Sequence, residues 1–170
     1  NNVLDFSRLE QGRREFCREE IDLACLLHQQ LDSQLMRIED AGMQLVRKIN
    51  ETEALIESDR DALEQIVLNL IDNAIKYSSK DTAINILLNS NDGACKLSIS
   101  DEGKGISNEN KQRIFEKYFR TGTEATQKSK GTGLGLYLVD RIIKAHHAKI
   151  FVENNLPNGT VFMIELKMLS

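Results

Sequence analysis

Tryptophan is absent from this sequence of 170 residues, proline occurs once and cysteine three times. An odd number of cysteines with no CxxC-like pair excludes a disulfide framework and a cysteine-based metal site, so we expect a reducing compartment. No apolar run approaches the roughly 20 residues that span a bilayer, and the first residues do not resemble a signal peptide. Because the sequence begins without Met in a helical pattern, we expect it to be part of a longer protein.

A strong charge of either sign is also missing. The formal net charge is -4 and the two signs are intermixed along the chain. Nucleic acid is therefore not an expected partner, and any phosphate would have to be held locally. Hydrophobic residues make up 41% and charged residues 28%, which is typical of a globular protein. The length predicts one main domain with room for a helical appendage.

Apolar residues recur at spacings of three and four in some segments and alternate in others. The predicted main helices cover residues 22–40, 59–77 and 134–145. The predicted strands cover residues 43–49, 54–57, 83–89, 95–101, 149–153 and 160–167. A short opening helix ends near Gly12, and an extended stretch follows around 15–17. This order predicts an α+β fold, a two-layer α/β sandwich whose mixed sheet is covered on one face by the main helices.

The helix predicted over 59–77 carries a polar stripe beside its core face. At about 100° per residue, Asn69, Asn73, Lys76 and Tyr77 fall together on this stripe. Amide oxygens one turn apart suit a hard cation such as Mg²⁺, and Lys76 adds a positive charge for phosphate. The stripe therefore predicts a site for a metal-nucleotide, although a solvated helix flank has the same composition.

A carboxylate ends the strand predicted over 95–101. Strand alternation places Asp101 on the core side, where it needs hydrogen-bond donors. Gly103 and Gly105 follow and allow a close approach of backbone or ligand. This pattern indicates a purine amine that donates to Asp101, and an Asx-type turn is the equal alternative.

A glycine run, residues 131–136, opens the last predicted helix. Free N–H groups and the positive end of the helix dipole make this a predicted anion site. The residues before it do not form the strand that a dinucleotide-binding fold requires, and the GxxxxGK[ST] spacing of a P-loop is missing.

The segment between these two glycine clusters begins with an apolar patch and continues as a polar loop. The patch, for which we predict a helix packed on the core, consists of Ile114, Phe115, Tyr118 and Phe119. Arg120 starts the loop and is placed to reach a phosphate. Lys128 and Lys130, later in the loop, are further candidates for this contact.

These clusters, in this order, resemble the catalytic ATP-binding domain of two-component sensor histidine kinases, within the wider Bergerat-type family that includes gyrase and Hsp90. The resemblance covers nearly the whole chain. The matching segments are 69–78 (asparagine box), 101–106 (first glycine box), 113–120 (phenylalanine box), 131–136 (second glycine box) and 158–160 (closing glycine motif).

The resemblance implies ATP and Mg²⁺ as cofactors, with Asn73 as the metal ligand. It places Asn69, Lys76 and Arg120 near the reacting phosphates, and it makes residues 119–132 an ATP lid. The full nucleotide-binding set that it implies is Asn69, Asn73, Lys76, Tyr77, Asp101, Gly103, Gly105, Ile106, Ile114, Phe119, Arg120, Gly131, Thr132, Gly133, Leu134, Gly135, Leu136 and Thr160.

One position favours phosphoryl transfer over hydrolysis. The ATP-hydrolysing relatives carry a glutamate as general base where this chain has Asn69, and an amide cannot take a proton. Residues 1–13 resemble the end of the dimerisation helix, so the catalytic domain is expected over 14–170. None of His28, His146 and His147 has the setting of the phosphoacceptor. We therefore expect the accepting histidine upstream of this chain.

The expected function is that of a protein-histidine kinase domain in the cytoplasm. The expected partners are its own dimerisation domain, in a homodimeric parent protein, and a response regulator. Membrane association is expected only through regions outside this chain, in a parent that could lie in the inner membrane. The alternatives are a serine kinase of the anti-sigma-factor type, a non-catalytic ATP-binding module and a gyrase-like ATPase.

Overall fold

The computed structural model describes residues 2–49, 54–120 and 131–169. The segment 50–53 between two predicted strands lies outside these residues, as do Lys128, Lys130 and the part of the predicted lid between 120 and 131. Every residue of the implied nucleotide-binding set is described.

The helices and strands follow the predicted order. The helices are α1 (Asn2–Glu10), α2 (Leu23–Asp40), α3 (Arg60–Tyr77), α4 (Asn110–Arg113) and α5 (Gly135–Ala145). The strands are β1 (Glu19–Asp22), β2 (Gln44–Ile49), β3 (Leu55–Ser58), β4 (Ala83–Asn91), β5 (Ala94–Ser100), β6 (Lys149–Asn154) and β7 (Thr160–Lys167). The long helices α2, α3 and α5 lie within one residue of their predicted bounds.

Five strands form the main sheet in the order β2-β4-β5-β7-β6. β2 runs parallel to β4, and the other neighbouring strands are antiparallel, which confirms the mixed sheet. A second sheet consists of β1 and β3, paired antiparallel. The sequence did not predict this sheet, because each of its strands has four residues and no turn joins them.

The core lies on one face of the main sheet. Alternate residues of its strands are buried, as in Ile84, Ile86 and Leu88 of β4, whereas Asn85 and Leu87 between them are partly exposed. The three long helices close this face with apolar residues at spacings of three and four. Their fully buried members include Leu27, Leu31, Ile66, Leu70, Val139 and Ile142. The predicted two-layer arrangement is confirmed.

A side-chain cap fixes the start of α3. Asp59 precedes α3, accepts a hydrogen bond from the Ala62 N–H at 2.8 Å and accepts a second one from the Cys17 N–H at 2.7 Å. Its own N–H donates to His146 Nε2 at 3.3 Å, and His146 Nδ1 lies 2.9 Å from the Ile142 oxygen. This network selects the neutral ring with its proton on Nδ1, and burial lowers the pKa of His146. Asp59 thus ties the chain after α1 to the helix that carries the asparagines.

The residues predicted as extended, 15–17, belong to no helix or strand, and the Cys17 N–H donates to the Asp59 carboxylate. One local prediction was wrong. The patch from Ile114 to Phe119 is not a helix, since α4 ends at Arg113. Its Ile114 is buried, but Tyr118 is 60% exposed with a φ of 61°. The Tyr118 N–H donates to the Gly133 oxygen at 3.1 Å, so the chain turns there towards the glycine run.

The opening helix α1 contacts the same region. Glu10 accepts hydrogen bonds from Lys117 Nζ at 2.7 Å and from the Tyr137 hydroxyl at 2.6 Å. These two donors lower the pKa of the Glu10 carboxyl. The Phe6 ring centroid lies 6.1 Å from that of Tyr118 and 5.8 Å from that of Tyr137. α1 therefore lies against the start of α5 and the turn that precedes Arg120.

Candidate functional site

A pocket opens between the C-terminal half of α3, the loop after β5, the turn at 114–120 and the start of α5. Every residue of the implied nucleotide-binding set lines it except Gly103, Thr132 and Leu134. Segments that are far apart in the sequence therefore meet at one place. Three lining residues were not predicted, namely Asp72, Lys104 and Phe162.

The polar stripe of α3 forms one wall of this pocket. Asn69 is only 5% exposed, and its Nδ2 donates to the Gln65 oxygen one turn earlier at 2.9 Å. Asn73 Nδ2 is buried and has no hydrogen-bond partner within the described part of the chain. A buried polar group of this kind costs free energy unless something pairs with it. Nδ2 is a donor, so it fits a ligand in the pocket that accepts a hydrogen bond, and the amide oxygen is the atom of Asn73 that could hold a metal ion.

Positive charge gathers around one aromatic ring. Lys76 Nζ lies 4.9 Å and Lys104 Nζ 5.3 Å from the centroid of the Tyr77 ring. Both ammonium groups and Arg120 line the pocket. They supply the local charge that phosphate needs in a chain whose net charge is negative.

Asp101 is a buried carboxylate with 5% exposure. Its Oδ1 accepts hydrogen bonds from the Gly103 N–H at 2.8 Å and the Thr160 N–H at 3.3 Å. Burial raises the pKa of this carboxyl, and the Gly103 and Thr160 N–H groups and the Ser78 side chain oppose the rise. The bond to Gly103 is the Asx-type turn that the sequence left open. It does not exclude a ligand, because both backbone donors bind the same oxygen, Oδ1, and Asp101 lines the pocket.

Two glycines keep the pocket walls close together. A Cβ on Gly103 would lie 2.6 Å from the Tyr77 oxygen, so the loop after β5 packs directly on the end of α3. Gly133 has a φ of +70°, and a Cβ there would lie 2.9 Å from the Tyr118 backbone. Gly103 thus packs against the Tyr77 main chain rather than facing the pocket, which explains why it does not line it.

The start of α5 offers backbone donors to the pocket. Gly135 and Leu136 open the helix and line the pocket, and no side chain caps their N–H groups within the described residues. Such a helix start binds anions. Leu134 is 3% exposed and anchors the helix in the core, and Thr132 is exposed beside the pocket mouth.

The three additional lining residues carried weak sequence signals. Asp72 precedes Asn73 on α3, and its carboxylate forms an ion pair with Arg37. Lys104 lies inside the Asp-x-Gly-x-Gly segment, at one of its unspecified positions. Phe162 follows Thr160 by two residues on β7, so strand alternation could have placed it on the same face.

The described residues contain no cluster of three or more His, Cys, Asp or Glu side chains that could hold a metal ion. A cation here would therefore need amide oxygens and the ligand's own phosphates, which is how Mg²⁺ commonly binds with nucleotides. No helix among the described residues is long and apolar enough to cross a membrane.

Known proteins share both sequence and fold with this chain. A profile of the histidine kinase-, DNA gyrase B- and HSP90-like ATPase family matches residues 58–170. Histidine protein kinase DivJ of Caulobacter vibrioides is 33% identical over 171 residues, which cover 99% of this chain and 28% of that protein. The chain thus spans less than a third of the length of this curated relative.

Two solved structures have the same architecture. The mycobacterial sensor histidine kinase MprB superposes with a TM-score of 0.77 at 27% identity, over 89% of this chain and 98% of that one. Full-length ShkA in complex with AMPPNP gives a TM-score of 0.84 at 26% identity, over 100% of this chain and 35% of that one. The chain therefore belongs to the family of histidine kinase-, DNA gyrase B- and HSP90-like ATPases, and the relatives it resembles are histidine kinases.

Proposed function

We propose that this chain binds Mg-ATP and, in its parent protein, passes the γ-phosphate to a histidine on a dimerisation helix. The observation that carries the proposal is the pocket itself, which joins a buried carboxylate, two asparagines, three cations and an uncapped helix start. The family membership and the AMPPNP complex of ShkA support a nucleotide as the ligand.

The adenine base would lie between Asp101 and the apolar wall of the pocket. The Asp101 carboxylate, which lines the pocket, would accept a hydrogen bond from the adenine amine. The apolar contacts would come from Tyr77, Ile106, Ile114 and Phe119, which all line the pocket. Because such a site is built around an amine donor, it should discriminate against bases that lack one.

The phosphates would lie towards Lys76, Arg120 and the start of α5. Mg²⁺ would be held by the Asn73 amide oxygen and by phosphate oxygens, and it would neutralise phosphate charge when bound. The cations and backbone N–H groups would orient the γ-phosphate for attack in line.

Asn69 supports transfer to an acceptor other than water. Asn69 would take the place of the glutamate that serves as general base in the ATP-hydrolysing relatives. It is buried, and its amide nitrogen donates to the Gln65 oxygen. The carboxylate on this wall, that of Asp72, forms an ion pair with Arg37. Slow hydrolysis and competent transfer are therefore expected together.

The parent protein would supply the remaining parts. Residues 1–13 would be the end of a dimerisation helix that continues upstream, and residues 14–170 the catalytic domain with its lid at 119–132. A homodimeric parent and a response regulator would be the partners. The names of the relatives favour this function over a serine kinase of the anti-sigma-factor type.

The test uses the 170-residue chain, labelled ATP with Mg²⁺, and a dimeric helical piece of the parent that contains the histidine. We expect acid-labile label on the helical piece and little phosphate release. Asn73→Ala should abolish Mg-dependent binding and transfer, whereas Asn91→Ala, an exposed asparagine at the far end of β4, should change neither. Rapid phosphate release without transfer would refute the proposal in favour of an ATPase, and absence of ATP binding would refute it altogether.

A further inference from the structure

We propose that Asn155 is a positioning residue that orients Asp101 towards the base and thereby sets the nucleotide preference of the pocket. This inference rests on the proposed function, since it concerns how the same pocket recognises adenine. Asn155 lies 54 residues after Asp101, in the connection between β6 and β7, and does not itself line the pocket.

Asp101 is held by this connection from several sides. The Asp101 N–H donates to the Thr160 oxygen at 2.9 Å, and the Thr160 N–H donates back to Oδ1 at 3.3 Å. The Asp101 carbonyl oxygen accepts from Asn155 Nδ2 at 2.8 Å. The pairing of β5 with β7 ends at Ser100, so these bonds hold the residue just past the ladder. The Asp101 main chain is therefore held both by Asn155 in the loop and by Thr160 at the start of β7.

The loop has few other anchors. Its apex is exposed, with Leu156 at 86% exposure and Asn158 also in solvent. Asn155 is half-buried, and its own N–H donates to the Gly159 oxygen at 3.0 Å, which closes the loop. The Asn155 side chain thus forms a hydrogen bond between this loop and the residue that follows β5.

Gly159 transmits any movement of the loop to Asp101. A Cβ on Gly159 would lie 2.8 Å from the Asp101 carbonyl carbon and 2.9 Å from the Glu102 Cα, so the two backbones are in direct contact. Gly105, which lines the pocket, packs on the Gly159 oxygen in turn. Without the Asn155 bond, the loop and Asp101 would sample a wider range of positions.

Loss of the Asn155 hydrogen bond should weaken the binding of the base more than the binding of the phosphates. A hydrogen bond from an amine to a carboxylate depends on distance and angle, whereas the phosphate contacts lie on α3, Arg120 and α5. Inosine triphosphate is the probe that separates the two, because it carries an oxygen where ATP carries the amine. The ratio of the two affinities then reports the orientation of Asp101.

The experiment measures calorimetric affinities of the 170-residue chain for Mg-ATP and Mg-inosine triphosphate. The wild-type chain should prefer ATP about tenfold or more, as expected for one charge-assisted hydrogen bond. Asn155→Ala should lower this ratio about threefold to tenfold, which corresponds to one neutral hydrogen bond. Asn155→Asp, which puts an acceptor opposite the Asp101 oxygen, should lower it at least as far. Asn158→Ala, the matched control in the same loop, should leave the ratio unchanged.

Thermal unfolding of each variant accompanies these measurements, so that a general loss of structure is recognised. Equal weakening of both nucleotides by Asn155→Ala, or a ratio equal to that of Asn158→Ala, would overturn the positioning role. A wild-type chain that binds both nucleotides equally would overturn the role of Asp101 and this inference with it. A wild-type chain that binds neither would refute the proposed function itself.

Discussion

Replacing Asp101 by asparagine should reverse the base preference of the pocket. The amide is nearly isosteric with the carboxylate, and its oxygen can keep both backbone hydrogen bonds now made by Oδ1, from Gly103 at 2.8 Å and Thr160 at 3.3 Å. The amide NH₂ then takes the place of Oδ2 and faces the pocket. A donor thus meets the donating amine of ATP, but it meets the accepting oxygen of inosine triphosphate.

The magnitude follows from the hydrogen bond that is lost. A hydrogen bond to a charged acceptor contributes about 1.5–3 kcal/mol, so Asp101→Asn should lower the affinity for ATP by about tenfold to 150-fold. The affinity for inosine triphosphate should stay the same or rise, because the base oxygen then meets the amide NH₂, a donor, instead of the carboxylate, an acceptor. The ratio of the two affinities should therefore pass through one and invert.

Stability provides the internal control for this variant. Burial raises the pKa of the Asp101 carboxyl, so the folded state binds a proton more readily than the unfolded state does. The stabilising contribution of this group is complete below its unfolded pKa and is lost as the pH rises through the folded pKa. At pH 7 the wild type therefore bears the cost of a buried charge that Asp101→Asn lacks, and the variant should unfold at an equal or higher temperature.

The assay combines calorimetric titration with both nucleotides and thermal unfolding at pH 7. Asp101→Glu is the matched control, because it keeps the charge and should lose affinity for both nucleotides through its extra length. If Asp101→Asn folds normally and still prefers ATP, the carboxylate does not bind the base amine, and our account of base recognition fails.

Two further predictions concern the start of α3. Asp59→Ala removes the helix cap and the bond to the chain after α1. The unfolding free energy measured by urea denaturation should therefore fall by about 2–3 kcal/mol. Asp61→Ala, a control at an exposed position of the first turn, should lower it by well under half of that. His146 has a lowered pKa, because burial disfavours its charged form, so its contribution to stability is complete above about pH 6.5 and is lost as the pH falls through its folded pKa. His146→Gln should therefore reduce the loss of unfolding free energy below about pH 6.5, whereas His28→Gln, an exposed control, should not. The same dependence of unfolding free energy on pH in both variants would contradict the role of His146.

The sequence by itself determined those features whose physical cause is local. Helix starts at Asp22 and Asp59 and strand alternation up to Asp101 depend on neighbours a few residues away, and their bounds matched the structure closely. The motif order was also sufficient to predict the family, because each cluster carries its chemistry within a short segment.

The tertiary structure decided the contacts between distant segments. The β1 and β3 pairing, the turn at Tyr118 and the half-buried Asn155 have no periodic or compositional signal. Asp72 and Phe162 entered the pocket only because α3 and β7 meet there.

The difference has one physical origin. A cap, a pleat or a turn is stabilised by hydrogen bonds within a few residues, so the residue types along the chain record it. A contact such as that of Asn155 with Asp101 exists only after the sheet has brought two loops together, so nothing in either segment alone specifies it. The sequence thus predicts which side chains form the candidate site. The tertiary structure decides which residues, such as Asn155, hold those side chains in position.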